Sequence, residues 1–376
     1  MGWIIENKGG MFRVVVTKDL PGRRWREILK TAGCEVHVSD SREALSLDEI
    51  RKAMGSRCDG AIGQLTEPWG AELFEALARA GGRVYSNYAV GYDNVNVSEA
   101  TKRRIAVGNT PEVLTETTAE MAVALTFAAA RRIAEADAFL RAGKFHGWLP
   151  GLFLGKRLFG GTLGIVGAGR IGAAYAKMLA PGHQMNVLYF DERQNAELES
   201  YFHRIAAAVA ADCGRTIPCR RSHSLEELLE HADVVSLHVP LLPATRHLMS
   251  RDRLRLMKRD AILVNTSRGP VLDEDALVEH LKANPEFRAG LDVFEKEPAL
   301  APGLADLPNA VIVPHIASAT VWTREGMATL AASNVAGVLK GYPVATALHV
   351  EEFLEGELPR RAASIVNAKE LGFIAS

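Results

Sequence analysis

The chain contains no run of about 18 or more apolar residues, so no membrane span is predicted. Cysteine is scarce: Cys34, Cys58, Cys213 and Cys219 are the four in 376 residues, with no CxxC pair and the closest two six residues apart. In a chain of this size they read as reduced thiols of an intracellular compartment rather than a disulfide framework, and no metal site is expected. Charge of one sign is also lacking, with 44 basic against 45 acidic side chains and a formal net charge of −1. That balance gives no reason to expect a nucleic-acid or anionic-membrane partner. Repeats of solenoid period, low-complexity tracts and an N-terminal signal peptide are absent as well. Met1–Gly10 reads as a processed or added end, with Met11 a plausible second start.

What is present is an ordinary globular composition, 48% apolar and 24% charged, long enough for two domains. Short β-rich runs alternate with helical stretches. Strands are expected at Phe12–Val16, Gly60–Gly63, Val84–Ser86 and Ala106–Val107, with helices at Arg24–Lys30 and Ala71–Ala80. This alternation argues a parallel sheet with helices on both faces. A second α/β unit starts at Gly161, with strands at Thr162–Val166, Asn186–Phe190, Asp233–Leu237, Ala261–Val264, Gly290–Val293 and Val311–Val313. Between the two, residues 117–142 read as one long helical stretch whose first half is apolar on nearly every face. It is either a core helix or a helix at a subunit interface. The segment Arg193–Ser222 exceeds a usual loop and reads as a surface insertion with its own helical pattern. A last helix is expected at Arg324–Leu339, stopping at Gly341.

Gly167-Ala-Gly-Arg-Ile-Gly172 follows a predicted strand and opens a predicted helix. GxGxxG in isolation is weak, but this context makes it a dinucleotide-binding turn. The first glycine permits the tight turn, the second lets a pyrophosphate approach the backbone, and the third lets the helix pack closely. Free N–H groups at the helix start, with the helix dipole, would hold the phosphates, and Arg170 can add a charge. Asp191 ends the next strand, 19 residues after Gly172. A carboxylate there accepts from the ribose hydroxyls and repels a 2′-phosphate, which favours NAD(H) over NADP(H). Arg193, two residues on, is the kind of residue that accommodates such a phosphate.

The remaining strands of this unit end in polar or special residues: His238-Val-Pro240, Asn265-Thr-Ser-Arg-Gly269, Asp292 and Pro314-His315. In an open parallel sheet the ligand lies off those carboxyl ends. Arg268 can grip a carboxylate in bidentate fashion and polarise the neighbouring carbonyl. His315 is the natural proton donor near neutral pH, although a lone histidine is more often structural. Glu297 is its candidate orienting carboxylate, which would keep the ring charged for ketone reduction.

With these residues in view, the chain resembles the D-isomer-specific 2-hydroxyacid dehydrogenases over nearly its full length, through GIVGAGRIG, NTSRGPVLDEDAL, GLDVFEKEP and PHIASAT. Within that family it looks most like the plant-type hydroxypyruvate reductases, through IGQLTEPWG, NTPEVLTETTAE, GWLPGLFLG, the long segment after Asp191 and the tail SIVNAKELG. The resemblance implies an α/β fold of two Rossmann-like domains. One is a flavodoxin-like substrate domain, 11–111 plus 319–376, and the other an NAD-binding Rossmann domain, 112–318. It places the catalytic arginine, glutamate and histidine on Arg268, Glu297 and His315. Substrate contacts fall on Val90, Gly91, Arg268, Ser318 and Trp148. Cofactor contacts fall on Thr118, Gly167, Gly169, Arg170, Ile171, Gly172, Asp191, His238, Pro240, Thr245, Thr266, Ser267, Asp292 and His315, with Asp292 near the carboxamide.

The implied reaction is reduction of hydroxypyruvate to D-glycerate, with glyoxylate as a side substrate, in a homodimer. Gln64, Asn94 and Ser318 are the polar candidates for reading the substrate's C3 hydroxyl. A phosphoglycerate dehydrogenase is disfavoured, because no regulatory domain follows the last helix. A dinucleotide-sensing corepressor on the same fold can keep all three catalytic residues, and the hydroxypyruvate-reductase-like segments argue against it. The plant enzymes close with a peroxisomal address whereas this chain closes Phe373-Ile-Ala-Ser376, so mitochondrion, peroxisome and cytosol stay open.

Overall fold

The computed structural model describes residues 2–374, and the backbone alone of Asp212 and Cys213. Ala375 and Ser376, the last two residues of the tail, lie outside the described residues. Contacts between Cα atoms divide the chain into two compact units, Met1–Leu114 with Ala319–Ser376, and Thr115–Ser318.

The first unit is built on six strands: β1 (Trp3–Glu6), β2 (Phe12–Val16), β3 (Cys34–Ser39), β4 (Gly60–Gly63), β5 (Val84–Asn87) and β6 (Ala106–Gly108). Their order is β1-β3-β2-β4-β5-β6. Without β1, this is the flavodoxin-like order, in which the sheet reverses direction beside its first strand. β2 is central because its Val14, Val15 and Val16 are completely buried, as β-branched residues between two helical layers should be. The helix Val321–Lys340 returns from the far end of the sequence to cover this sheet, buried along nearly its whole length from Gly326 to Leu339. Small residues let it lie close: a Cβ at Gly60 would meet Val335 at 3.2 Å, and one at Gly337 would meet the Ala362 backbone at 2.6 Å. Thr320 caps its start and Gly341, at φ +67°, ends it.

The N-terminal residues join this sheet. Trp3–Glu6 pairs antiparallel with β3, Trp3 opposite Ser39 and Glu6 opposite Val36.

The second unit carries β7 (Thr162–Val166), β8 (Asn186–Phe190), β9 (Cys219–Arg221), β10 (Val234–Leu237), β11 (Ile262–Asn265), β12 (Arg288–Leu291) and β13 (Ala310–Ile312). All pair in parallel, in the order β9-β8-β7-β10-β11-β12-β13. This is the doubly wound dinucleotide-binding order, with its switch point between β7 and β10.

Two expectations fail here. The segment Arg193–Ser222 is not a surface insertion, because it supplies the helix Ala196–Cys213 and the edge strand β9. Leu198, Phe202 and Ile217 lie in the core at 0–1% exposure. Residues 117–142 are not one helix either. A helix Thr115–Ala130 ends, Arg132 takes a left-handed conformation at φ 56°, and a second helix runs Ile133–Arg141. The amide of Lys156 takes the Ala130 carbonyl at 2.9 Å, and the Arg132 guanidinium grips Glu135 at 2.6 and 2.8 Å, so the break is held from both sides. The first helix is buried at Thr115, Thr118, Ala119, Ala122, Leu125, Thr126, Ala129 and Ala130, with Met121, Val123 and Phe127 half-buried, rather than on every face. The second buries no residue at all within the chain.

Candidate active site

The glycine-rich turn sits at the switch point of the second sheet. Gly167 follows β7 with φ +95°, and a Cβ there would lie 2.8 Å from the His238 carbonyl carbon at the end of β10. Gly172 has no room either, since its Cβ would meet the Gly167 oxygen at 2.2 Å. Gly169 is the opposite case: nothing lies within 4 Å of where its Cβ would be. Two glycines close the turn and the third leaves open space over the first amides of the helix Arg170–Leu179. That cradle fits a dinucleotide pyrophosphate.

Asp191 stands at the end of β8 and reaches into this turn. Its Oδ2 accepts the Ala168 amide at 2.8 Å and its Oδ1 the Arg193 amide at 3.2 Å. Asn195 braces the turn from the other side, donating to the Ala168 carbonyl at 2.6 Å. His238 pairs with the Ser236 hydroxyl at 2.8 Å beside the Tyr175 ring, and burial pushes its pKa down to about 3. Beyond it, Thr245 Oγ1 accepts the Leu242 amide and donates to the Pro240 carbonyl at 2.6 Å, which shapes the loop after β10. Thr266 Oγ1 is buried without a partner among the described residues, a group a ligand could satisfy. Ser267 donates to Asn265 Oδ1 at 2.8 Å, and Thr118 is buried in the first turn of Thr115–Ala130.

Arg268, Glu297 and His315 come from three different strand ends and converge. His315 Nδ1 lies 2.9 Å from Glu297 Oε2, and the other carboxylate oxygen accepts the Phe294 amide at 3.0 Å. Burial alone would raise the Glu297 pKa. The His315 hydrogen bond and charge, the Phe294 amide and the Arg268 charge outweigh it, so the carboxylate sits below its usual range and is ionised at neutral pH. His315 itself has φ 52°, a backbone conformation that non-glycine residues adopt only when the surroundings impose it. Asp292 imposes it: its carbonyl accepts the His315 amide at 2.9 Å, and its two carboxylate oxygens accept the Ile316 and Ala317 amides at 2.6 and 2.9 Å. Burial of Asp292 outweighs those two amides and raises its pKa. With Nδ1 facing Glu297, the ring presents Nε2 outward. The Arg268 loop is braced by Asn265, whose Nδ2 donates to the Arg268 carbonyl at 3.0 Å.

In the first unit, Val90 and Gly91 follow β5. Asn109 donates to the Val90 carbonyl and Asn87 to the Gly91 carbonyl, each at 2.9 Å. With both carbonyls anchored, the two amides have no protein partner among the described residues. Asn94 donates its Nδ2 to the Gln64 and Glu67 carbonyls, and its Oδ1 accepts from Asn87 Nδ2. It is a strut of this loop. Gln64 Nε2, by contrast, is buried and unpaired. Trp148 joins neither cluster within its unit and is 80% exposed. Sequence reasoning missed Asn195, the bracing role of Asn265 and the backbone role of Asp292. An Asn at a strand end or helix start is the signal the first two share.

Among the described residues, no group of three or more His, Cys, Asp or Glu could hold a metal, and no helix is long and apolar enough to cross a membrane. Cys34, Cys58 and Cys219 are unpaired, and burial pushes all three thiols up to about 12.

A doubly wound unit with an open glycine cradle, beside an arginine and a paired glutamate and histidine, defines a dinucleotide-dependent dehydrogenase. Residues 123–317 match the family model described as D-isomer specific 2-hydroxyacid dehydrogenase, NAD binding domain. The chain belongs to this family. It is 55% identical to a glycerate dehydrogenase of Cucumis sativus over 372 residues, 98% of this chain and 97% of the other. Identity to the peroxisomal glycerate dehydrogenase of Arabidopsis thaliana is 54%, covering 99% and 97%. A glyoxylate reductase of Korarchaeum cryptofilum is 43% identical, covering 88% and 93%. Among solved structures, a protein of Thermus thermophilus superposes with a TM-score of 0.79 at 39% identity, covering 94% of this chain and 100% of that one.

Proposed function

We propose that the chain reduces hydroxypyruvate to D-glycerate with NADH in preference to NADPH, reduces glyoxylate to glycolate as a lesser activity of the same site, and works as a homodimer. The observation that carries this reading is the 2.9 Å pair of His315 Nδ1 and Glu297 Oε2, with the Arg268 charge acting on the same carboxylate. The names of the cucumber, Arabidopsis and Korarchaeum relatives support the substrates.

The Gly167–Gly172 turn, with Arg170 and Ile171 at the helix start, would hold the pyrophosphate, and Asp191 the adenosine ribose. Thr118, His238, Pro240, Thr245, Thr266, Ser267 and Asp292 would line the rest of that groove. When bound, NADH supplies a hydride to C2 of the keto acid. Arg268 binds the substrate carboxylate and polarises the neighbouring carbonyl. The resemblance assigns the Val90 and Gly91 amides to substrate binding as well. His315 donates its Nε2 proton to the oxygen that becomes the hydroxyl, and Glu297 stabilises the charged ring. Ser318 and Trp148 are assigned to the pocket walls. Of the compartments left open, the peroxisome has the support of the Arabidopsis relative's name.

The test is NADH oxidation with hydroxypyruvate, glyoxylate and pyruvate under one set of conditions, repeated with NADPH. The expected order of kcat/KM is hydroxypyruvate, then glyoxylate, then pyruvate. A site that hydrogen-bonds the C3 hydroxyl discriminates strongly against its absence. Pyruvate or glyoxylate in first place would overturn the substrate assignment, and NADH binding without turnover of any of the three would overturn the reading as an enzyme.

A further inference from the structure

Glu274 is a buried carboxylate that the reaction above does not use. It is 4% exposed and opens the helix Glu274–Ala283, six residues after Arg268. Burying a carboxylate is costly unless it is fully hydrogen-bonded. Here both oxygens are satisfied by backbone amides from one distant segment: Oε2 accepts the Glu295 amide at 2.6 Å and Oε1 the Ala301 amide at 2.8 Å. Those two amides flank Glu297, two residues before it and four after. One side chain thus ties down both ends of the loop that carries Glu297.

Other contacts run between the same two segments. The Glu274 amide donates back to Glu295 Oε2 at 3.4 Å. Glu295 Oε1 pairs with His247 Nε2 at 2.8 Å, and the His247 amide donates to the Pro270 carbonyl at 2.8 Å. Gly269, next to Arg268, lies so close to the Glu297 loop that a Cβ on it would stand 1.8 Å from the Phe294 oxygen. The Phe294 amide in turn holds Glu297 Oε1 at 3.0 Å.

We propose that Glu274 is a positioning residue for catalysis: it fixes the Glu297 loop in register with the Arg268 loop, so that Glu297 meets His315 while Arg268 holds the substrate. The proposal rests on the reading of Arg268, Glu297 and His315 given above. Only a group with acceptors on both arms can take two amides at once. Glu274→Gln keeps the size but turns an NH2 toward one of the two donors, which releases one end of the loop.

The experiment uses the full-length protein. Glu274→Gln is expected to lower kcat for hydroxypyruvate by about 10- to 100-fold, the scale on which small misplacements of reacting groups are felt. NADH affinity by fluorescence titration should stay within about twofold, because the glycine cradle lies on other strand ends. The alkaline limb of the kcat/KM profile for reduction should move to lower pH, since an anion beside an imidazole favours its protonated form and that anion is no longer held in place. In a Glu297→Gln background the same substitution should cost less than about threefold, because residues acting through one another are not additive. An unmoved pH profile, or the full loss recurring on top of Glu297→Gln, would overturn the proposal. If Glu274→Gln does not fold, Glu274→Asp keeps the charge but is one methylene too short to reach both amides. Its kcat should fall with the limb displaced the same way, and an unchanged limb would overturn the proposal equally. Full turnover by His315→Ala would instead defeat the underlying assignment of the site, which keeps the two failures distinguishable.

Discussion

His315 and Glu297 come from segments 18 residues apart and meet at 2.9 Å, Nδ1 to Oε2, while Asp292 pins the backbone on either side of the histidine. The ring is therefore held by its own side chain and by its own main chain. A structural histidine needs only one of these. Both together leave Nε2 as the ring nitrogen turned away from Glu297.

His315→Ala should leave NADH binding nearly intact and lower kcat for hydroxypyruvate by about 10²- to 10⁴-fold, the usual cost of a lost general acid. Glu297→Gln should cost less, since the donor remains and only its orienting charge is gone. The lowered pKa of Glu297 means that the carboxylate is charged across the neutral range. Its influence on the wild-type rate should fade only when the pH falls below the usual carboxylate range. Steady-state kinetics with stopped-flow binding of NADH separates the terms. A His315→Ala enzyme within about threefold of wild type would remove the histidine from the mechanism.

A second copy of the chain is expected to cover the segment 133–154. The helix Ile133–Arg141 buries none of its residues, and Ile133, Leu140, Phe145, Trp148, Leu149 and Leu154 are all more than half exposed. Contiguous apolar surface of this kind marks an interface. Light scattering at micromolar concentration should give twice the 40.8 kDa chain mass, and Leu140→Glu with Leu149→Glu should shift it toward the monomer. A monomer mass for the unmutated protein would refute this.

Much of the second unit is legible in the sequence because its chemistry demands particular residues. GAGRIG can be read since Gly167 needs a positive φ and Gly172 has no space for a Cβ. The strand cores Leu163–Val166 and Ile262–Val264 can be read because full burial leaves unbroken apolar runs. The break at Arg132 could not be read, because an arginine in the left-handed region carries no signal of its own and the nearby Ala130 carbonyl is taken by Lys156, 26 residues on from Ala130. The role of the Ala196–Cys213 helix was missed for a different reason. Leu198 and Phe202, each at 1% exposure, make too narrow a buried stripe to distinguish from a surface helix, and β9 is three residues long with two arginines. Glu274 is one of three consecutive acidic residues, Asp273, Glu274 and Asp275, and nothing local says which of them turns inward.

Acid should weaken the fold in a window set by His238. Burial pushes its pKa to about 3, against an ordinary value of 6.5. Between those limits the unfolded chain holds a proton on this residue and the native chain does not. Stability is therefore undiminished above about pH 6.5 and declines as pH falls toward 3, by at most about 1.4 kcal/mol per unit from this one group. Urea midpoints of the cofactor-free protein between about pH 7.5 and 4.5 measure the slope. His238→Asn should flatten it, because asparagine takes no proton in either state. Equal slopes for the two proteins would show that the ring is not neutral by burial.

Asp191 has two tasks that one substitution can confuse and two can separate. Its Oδ2 accepts the Ala168 amide at 2.8 Å, so it helps hold the glycine turn. Under the proposed function its charge, at the end of β8, would also repel a 2′-phosphate on the ribose. Asp191→Ser shortens the side chain and removes the charge, so both tasks are lost. NADH should bind more weakly, by about 1.5–3 kcal/mol if a hydrogen bond to a charged group is lost. Use of NADPH relative to NADH should rise by about an order of magnitude, the tenfold that about 1.4 kcal/mol of relieved repulsion represents. Asp191→Asn keeps an oxygen for Ala168 and drops only the charge. It should retain the thermal stability of the parent while still narrowing the preference, with Arg193 nearby to meet the phosphate. The ratio of kcat/KM for the two cofactors in all three proteins decides the matter. A ratio that stays constant while stability falls in Asp191→Ser would show that the carboxylate serves the turn alone and that cofactor preference is read elsewhere.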